Sequence, residues 1–247
     1  MALKTTLNYS PNFDSKKRNK KKIKFIIFHY TGMKNESEAI SRLTNIQSEV
    51  SCHYLIKNNG EIVNIVPDLY TAWHAGKSSW KNYKFLNQNS IGIEITNPGH
   101  EFGYKKFSKR QISSLLKLTK FLMKKYKISS KNILGHSDIA PQRKKDPGEQ
   151  FPWKYFSKHK VGVWHTLKKQ ELIKNRSLKT HQIEKNFFFN NLFIIGYSKK
   201  TLKKLNKDKH LKEVTKAFQR RFRQELVNGK IDQECLLISV NLIKKYN

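Results

Sequence analysis

The chain has few cysteines, few acidic residues and no long apolar run, and each of these features restricts the class of protein to which it can belong. Its only cysteines are Cys52 and Cys235, so the sequence defines no disulfide framework. No stretch approaches the roughly 18 uninterrupted apolar residues of a membrane-spanning helix. Residues 1–22 lack the apolar core of a secretory signal. We therefore predict no transmembrane segment, and a protein that works where it is made or leaves by a route that the sequence does not show.

The scarcity of acidic residues makes the chain strongly basic. It has 18 Asp and Glu against 50 Lys and Arg, a formal net charge of +32. Such a charge indicates either a polyanionic partner or compositional drift. The lysines are spread along the whole chain, whereas nucleic-acid modules concentrate charge on one face and interleave it with stacking aromatics. We therefore predict no specific nucleic-acid binding, and only a general attraction to anionic polymers.

Apolar periodicity predicts alternating strands and helices. Residues 25–28 form a short β-prone run, and residues 51–66 have the pattern of a hairpin. Residues 91–95 alternate isoleucine with polar residues, as in a strand. Helical spacing appears in residues 35–47, and a capping box at Ser108 predicts the start of a second helix. This order predicts an α/β fold, with a central mixed β-sheet flanked by helices.

Composition shifts divide the chain into four predicted segments. Residues 1–22 end in a lysine-rich run and are predicted to be a solvated basic tail. Residues 23–165 hold the α/β pattern and form the predicted catalytic domain. Residues 166–186 are polar and are predicted to be a linker. Residues 187–247 are predicted to be a small helical domain, because Phe218 and its apolar neighbours repeat at helical spacing.

Two histidines and one aspartate are candidates for a metal site. His29 follows the run 25–28, His136 follows another short apolar run, and Asp146 lies in a polar loop. This trio matches the ligand set of catalytic zinc, which leaves one position for water. Their wide spacing alone is weak evidence, because each is also explained as an ordinary polar loop residue. His53 lies in an alternating strand, and we expect a satisfied core histidine there rather than a fourth ligand.

Seven short motifs give these residues a context. In chain order they are Phe28-His29-Tyr30-Thr31, Ser51-Cys52-His53-Tyr54-Leu55-Ile56, Ala72-Trp73-His74-Ala75-Gly76, Ser90-Ile91-Gly92-Ile93-Glu94-Ile95, Gly135-His136-Ser137-Asp138-Ile139-Ala140-Pro141, Lys144-Lys145-Asp146-Pro147-Gly148 and Phe151-Pro152-Trp153. The ordered set, over about residues 22–164, resembles the N-acetylmuramoyl-L-alanine amidase family of the type 2 fold, which is related to peptidoglycan-recognition proteins. The resemblance implies a bacterial hydrolase that cleaves the amide between the N-acetylmuramoyl or anhydro-muramoyl lactyl group and the L-alanine of the stem peptide, with peptidoglycan or muropeptides as its partners.

The resemblance also implies the site residues. It assigns one catalytic Zn²⁺ to His29, His136 and Asp146, a catalytic carboxylate to Glu94 and a catalytic lysine to Lys144. The chemistry suits these residue types. Zinc polarises a carbonyl and lowers the pKa of water to about 7. A carboxylate can then move the proton from the water to the departing nitrogen, and a lysine can stabilise the oxyanion.

Several assignments have alternatives. If the register of the loop differs, Arg143 or Lys145 takes the role of Lys144. Trp73 and His74 lie in a predicted loop before a glycine, where either substrate binding or plain packing explains them. A non-catalytic peptidoglycan-recognition protein is the alternative function, although the chain retains all three implied ligands and both catalytic candidates.

The C-terminal segment resembles, more loosely, the three-helix peptidoglycan-binding module often fused to such amidases. Cys235 stands where that module usually has a small hydroxyl residue, so binding by the segment is an open question. Such a module favours polymeric wall as the substrate, whereas the absence of a signal favours small anhydro-muropeptides inside the cell. The predicted location is the cell envelope, or export without a recognisable signal, with the cytoplasm as the alternative.

Overall fold

A six-stranded mixed sheet forms the centre of the molecule in the computed structural model, which describes residues 4–199 and 206–246. The strands of the described residues are β1 (Thr6–Leu7), β2 (Phe13–Asp14), β3 (Phe25–Tyr30), β4 (Tyr54–Ile56), β5 (Ile62–Asn64), β6 (Thr71–Ala72), β7 (Ser79–Trp80), β8 (Tyr83–Lys84), β9 (Ser90–Ile95) and β10 (Ile133–Gly135). The main sheet has the order β1-β5-β4-β9-β3-β10, and only β4 and β5 pair antiparallel. Two small antiparallel pairs, β2 with β6 and β7 with β8, complete the strands.

Helices lie on both faces of this sheet. They are α1 (Glu36–Thr44), α2 (Lys109–Tyr126), α3 (His136–Ile139), α4 (Trp153–Lys158), α5 (Lys169–Asn175), α6 (Gln182–Ile195), α7 (Lys207–Phe222) and α8 (Gln233–Tyr246). The predicted α/β class with a central mixed sheet is therefore confirmed. The predicted capping box is also present, since Ser108 accepts from the backbone N–H of Gln111 and the Gln111 side chain accepts from the N–H of Ser108. Across the described residues no helix is both long and apolar enough to cross a membrane.

Strand β3, between β9 and β10, is buried on both faces, which explains its unbroken apolar run. Ile26 and Phe28 belong to a cluster that includes Leu118 of α2. Phe25 and Ile27 point to the opposite cluster, which the C-terminal helices fill. That second cluster includes the fully buried side chains of Phe188, Phe218 and Leu242. The C-terminal helices thus share a hydrophobic core with the sheet.

A buried ion pair also joins the C-terminal helices to the sheet. Arg221 of α7 pairs with Asp138 of α3, and both side chains are about 1% exposed. The same guanidinium donates to the carbonyl of Ile133 and lies over the ring of Trp153, 4.4 Å from its centroid. Tyr197 donates its hydroxyl to the second carboxylate oxygen of Asp138 at 2.8 Å. The carboxylate is therefore satisfied from two sides, as burial of a charge requires.

The structure differs from the prediction of a solvated tail at residues 1–22. Strand β1 pairs with β5, and β2 pairs with β6. Arg18 is buried, and its guanidinium donates to the carbonyls of Asp68, Asn87 and Ser90. The lysine-rich sequence concealed this anchoring, because a buried arginine can be satisfied by carbonyls that are distant in sequence.

The structure also differs from the predicted linker at residues 166–186. This range contains helix α5, and α6 begins within it at Gln182, earlier than the predicted boundary at residue 187. Arg176, just after α5, makes two hydrogen bonds to the buried carboxylate of Glu234 in α8, each 2.7 Å long. A polar composition therefore hides a packed segment. The predicted peptidoglycan-binding function of residues 187–247 stays a prediction.

The Arg221–Asp138 pair predicts a large loss of stability when one partner is removed. An Arg221→Met variant leaves Asp138 buried without its counter-charge, which typically costs about 3–5 kcal/mol. We expect a lower free energy of unfolding in urea, and partial recovery in the Arg221→Met/Asp138→Asn double variant. Lys209→Met, at an exposed position of α7, is the matched control and should be near neutral. Equal stabilities of Arg221→Met and the control would contradict this role.

Candidate active site

Parallel pairing brings the candidate residues to one edge of the sheet. Strand β3 lies between β9 and β10, and all three run in the same direction. His29 lies near the end of β3, directly opposite Glu94 of β9 in the pairing register. His136 follows β10 and begins α3. Because the carboxyl ends of parallel strands meet at one edge, residues far apart in sequence are brought together there.

Three ligand-type atoms converge at this edge. The Nδ1 atoms of His29 and His136 are 2.9 Å apart, and each is 3.0 Å from Oδ2 of Asp146. All three residues are buried, with at most 5% of their surface exposed. Ligands of a tetrahedral zinc ion lie about 3.3 Å apart, given bonds of about 2.0 Å. The donor types, their spacing and their burial therefore fit a zinc ion, and the three predicted ligands are brought together.

The electrostatics of the cluster favour a neutral histidine beside an ionised carboxylate. Burial, with a contribution from His136, lowers the pKa of His29 to about 4. Burial alone would raise the pKa of Asp146, but the charge of His136 and hydrogen bonds from both histidines hold it well below its usual range. A metal ligand must be deprotonated, and both groups are in that form at neutral pH.

One carboxylate oxygen of Glu94, beside the cluster, is left without a partner. This atom, Oε2, is buried, and no group of the described residues forms a hydrogen bond with it. Burial raises the pKa of Glu94 to about 8, with a further increase from the charge of Asp146 and an opposing effect of Lys144. A carboxylate with a raised pKa in a cleft is the usual form of a general acid or base.

Three basic residues near Asp146 differ in what they can reach. Arg143 donates to the carbonyls of Ala75 and Lys77, so its guanidinium is held by the backbone. Lys144 is half-buried, and its charge acts on the pKa values of both His29 and Glu94. Lys145 is exposed. These differences favour Lys144 among the three candidates.

The cluster opens into a cleft of about 310 Å³. Trp73 and His74 both line it. The indole N–H of Trp73 donates to Asp14, which leaves the face of the ring as its contact surface. His74 is 9% exposed, and its ring lies behind His29. Substrate contact by either residue stays a prediction.

The ring of His53 behaves as predicted for a core histidine. It is fully buried, accepts from the backbone N–H of Gly92, and has its other nitrogen 3.1 Å from the carbonyl of Tyr70. The ring of His74 is its neighbour, with ring centroids 5.6 Å apart. Burial lowers the pKa of His74 well below its usual value, helped by the nearby rings of His29 and His53, so that the ring is neutral.

Sequence reasoning missed a second polar group on the wall of the cleft. The hydroxyl of Tyr30 is 2.9 Å from Nδ1 of His100, and the other ring nitrogen of His100 is 3.1 Å from Glu149. Tyr30 and His100 line the cleft together with Arg42. No pattern in the sequence indicated a function for His100, because this residue lies in a polar loop without periodicity.

Comparison with known proteins agrees with this geometry. The family model described as N-acetylmuramoyl-L-alanine amidase matches residues 19–149. The chain is similar to the N-acetylmuramoyl-L-alanine amidase AmiD of Escherichia coli K12, with 33% identity over 237 residues, covering 91% of this chain and 84% of the relative. It is also similar to the 1,6-anhydro-N-acetylmuramyl-L-alanine amidase AmpD of Haemophilus influenzae, with 34% identity over 165 residues, covering 60% of this chain and 87% of the relative.

Solved structures extend the similarity over nearly the whole chain. AmiD from E. coli, in complex with the substrate anhydro-N-acetylmuramic acid-L-Ala-D-gamma-Glu-L-Lys, superposes with a TM-score of 0.77 at 32% identity, covering 91% of this chain and 90% of that one. AmpDh3 of Pseudomonas aeruginosa, in complex with anhydromuramic pentapeptide, also gives a TM-score of 0.77, at 29% identity and with coverages of 91% and 92%. The similarity therefore includes the C-terminal helices as well as the sheet.

The ligand cluster predicts that metal binding depends on Asp146. Asp146→Ala removes the oxygen ligand and leaves two histidines. Loss of a residue that only orients a metal ligand typically weakens metal binding about 10–100-fold. Loss of a ligand itself should raise the zinc dissociation constant by more than that. Competition with a chromophoric chelator measures it, and metal analysis after dialysis gives the stoichiometry. Asp208→Ala, at an exposed position of α7, is the control. Unchanged zinc affinity in Asp146→Ala would remove this residue from the ligand set.

Proposed function

The chain belongs to the N-acetylmuramoyl-L-alanine amidase family, and on that premise we propose that His29, His136 and Asp146 hold one catalytic Zn²⁺ beside Glu94 and Lys144. The protein is an amidase, which hydrolyses the bond between the muramoyl lactyl group and L-alanine. The observation that carries the zinc proposal is the convergence of two Nδ1 atoms and one carboxylate oxygen within 3.0 Å of each other.

An amide is a weak electrophile with a poor leaving group, so its hydrolysis needs three forms of assistance. The carbonyl must be polarised, the attacking water must lose a proton and the departing nitrogen must gain one. Zinc, when bound, supplies a Lewis acid that polarises the carbonyl and makes water more acidic. The protein must supply the proton transfers and the remaining stabilisation of charge.

Glu94 is the proposed proton carrier. It accepts a proton from the attacking water and delivers it to the nitrogen of L-alanine as the C–N bond breaks. Burial suits it to both steps, because a raised pKa brings its basicity close to what the transfer needs. Its buried Oε2, which has no partner among the described residues, is free to bond to water or substrate.

Lys144 is the proposed stabiliser of the oxyanion. Its charge already acts electrostatically on Glu94 and His29, which supports a position near the reacting centre. A fixed positive charge in a cleft lowers the energy of the tetrahedral intermediate more than that of the neutral amide. Lysine is suited to this task as a compact point charge.

We further propose that the preferred substrate is an anhydro-muramoyl peptide. The solved structure of AmiD holds such a ligand and that of AmpDh3 holds an anhydromuramic pentapeptide, and both cover about nine-tenths of this chain. The relatives named here are bacterial, which supports a bacterial origin. Whether the C-terminal helices also bind polymeric wall is a separate proposal, which the similarity of that segment to a peptidoglycan-binding module motivates.

Product analysis tests the function directly. Purified peptidoglycan and an anhydro-muropeptide are digested and the products identified by mass spectrometry. We expect release of the free stem peptide, abolished by chelator and restored by zinc. Glu94→Gln should keep its zinc but lose about 10²–10⁴-fold in kcat, because it cannot transfer the proton. Full activity of Glu94→Gln would overturn the role of Glu94, and no release from either substrate by zinc-loaded protein would overturn the proposed activity.

Neighbouring lysines give a matched test of the oxyanion proposal. Lys144→Met should lower kcat by about 10²–10³-fold, the typical cost of losing one oxyanion-stabilising group. Lys145→Met, which removes the same charge from an exposed position, should retain kcat within a few-fold. Both variants should bind zinc as the wild type does. If Lys145→Met lost kcat and Lys144→Met did not, the assignment between these two residues would be reversed.

A further inference from the structure

The ligand His29 has a partner on each of its ring nitrogens. Nδ1 faces the metal cluster, whereas Nε2 is 3.0 Å from Nδ1 of His74. A neutral imidazole that offers a lone pair at Nδ1 carries its proton at Nε2. The N–H at Nε2 of His29 therefore donates to Nδ1 of His74, and His74 must be an acceptor at that atom.

The opposite nitrogen of His74 continues the chain of hydrogen bonds. Nε2 of His74 is 3.2 Å from the hydroxyl of Ser90, and that hydroxyl is 2.6 Å from the carbonyl of Leu86. A carbonyl can only accept, so the hydroxyl donates to Leu86 and accepts from Nε2–H of His74. The carbonyl of Leu86 thereby sets the direction of every hydrogen bond back to His29.

Packing fixes the ring of His74 in this chain. It lies against Gly92 of β9, where a β-carbon would be 2.3 Å from Cγ of the His74 ring. Only glycine at this position leaves room for the ring.

Ala75, the residue after His74, is placed to orient the second proposed ligand, His136. Nε2 of His136 is 3.2 Å from the carbonyl of Ala75 and also 3.2 Å from Nη2 of Arg143. In the tautomer that binds a metal through Nδ1, the N–H at Nε2 donates to the carbonyl of Ala75. Arg143 donates to the same carbonyl and helps to hold it in place. His74 thus contacts Nε2 of His29, and the carbonyl of Ala75 contacts Nε2 of His136.

We propose that His74 is a positioning residue: by accepting from His29 it fixes the tautomer and the ring orientation with which His29 binds the metal, and Ser90 fixes His74 in turn. This inference rests on the proposed zinc site. It places His74 behind a ligand rather than against the substrate, whereas the sequence left substrate binding and plain packing open for this residue. Losing such an outer partner typically costs about 10–100-fold in metal affinity.

Leucine and asparagine at position 74 form a matched pair of nearly equal shape. Asparagine keeps an acceptor close to the position of the His74 Nδ1 atom, and leucine removes it. We expect His74→Leu to raise the zinc dissociation constant by about 10–100-fold, as measured by chelator competition on purified apoprotein. His74→Asn should recover most of that loss. Ser90→Ala should weaken zinc binding in the same direction but less, because His74 loses the partner that selects its tautomer.

Controls separate this role from general loss of structure. Urea unfolding of each apoprotein reports folding. His159→Leu tests a histidine outside the cluster and the lining of the cleft, whose Nδ1 is 2.9 Å from the carbonyl of Tyr155. Equal zinc affinity of His74→Leu and wild type, or equal losses in His74→Leu and His74→Asn, would overturn the proposal. A wild type that binds no zinc would instead overturn the proposed metal site. The two failures are therefore distinguishable.

Discussion

The convergence of His29, His136 and Asp146 is the constraint on which the remainder of the site depends. Three electron-rich atoms within about 3 Å of one another, away from water, repel unless a cation or protons lie between them. Parallel strands supply the two histidines, and the loop after α3 supplies the aspartate. That loop is tied back, because the N–H of Ser137 donates to the carbonyl of Asp146 at 2.8 Å. The fold thus holds the ligand atoms close together before any metal is considered.

The C-terminal helices belong to this constraint as well. They fill one face of the sheet, and Arg221 and Tyr197 satisfy the carboxylate of Asp138. That carboxylate also accepts from the N–H of Gly135, the residue immediately before the proposed ligand His136. The segment that presents His136 is therefore held between the sheet and the C-terminal helices. The C-terminal unit, for which the sequence predicts a binding module, thus also contributes to the framework of the proposed metal site.

The sequence predicted the class of fold through its local periodicity. It predicted His29, His136 and Asp146 as a metal cluster through the resemblance of its ordered motifs to a known family, and the fold brings these three residues together. It failed where the outcome depends on contacts between distant segments: Arg18 is buried by backbone carbonyls of later loops. The direction of His74 was equally hidden, since its motif indicates a loop but not which way a side chain in that loop points.

The large positive charge contributes less to the site than its size suggests. At physiological ionic strength, screening limits exposed charges to a range of about 8 Å, so lysines spread over the surface attract anionic material without selecting it. In the cleft, the charge of Lys144 lowers the pKa of Glu94, whereas the guanidinium of Arg143 is held by backbone carbonyls. Selectivity for one amide must therefore come from the shape of the cleft and from a few fixed groups. A net charge of +32 predicts attraction to a polyanion, whereas the proposed chemistry depends on the buried cluster.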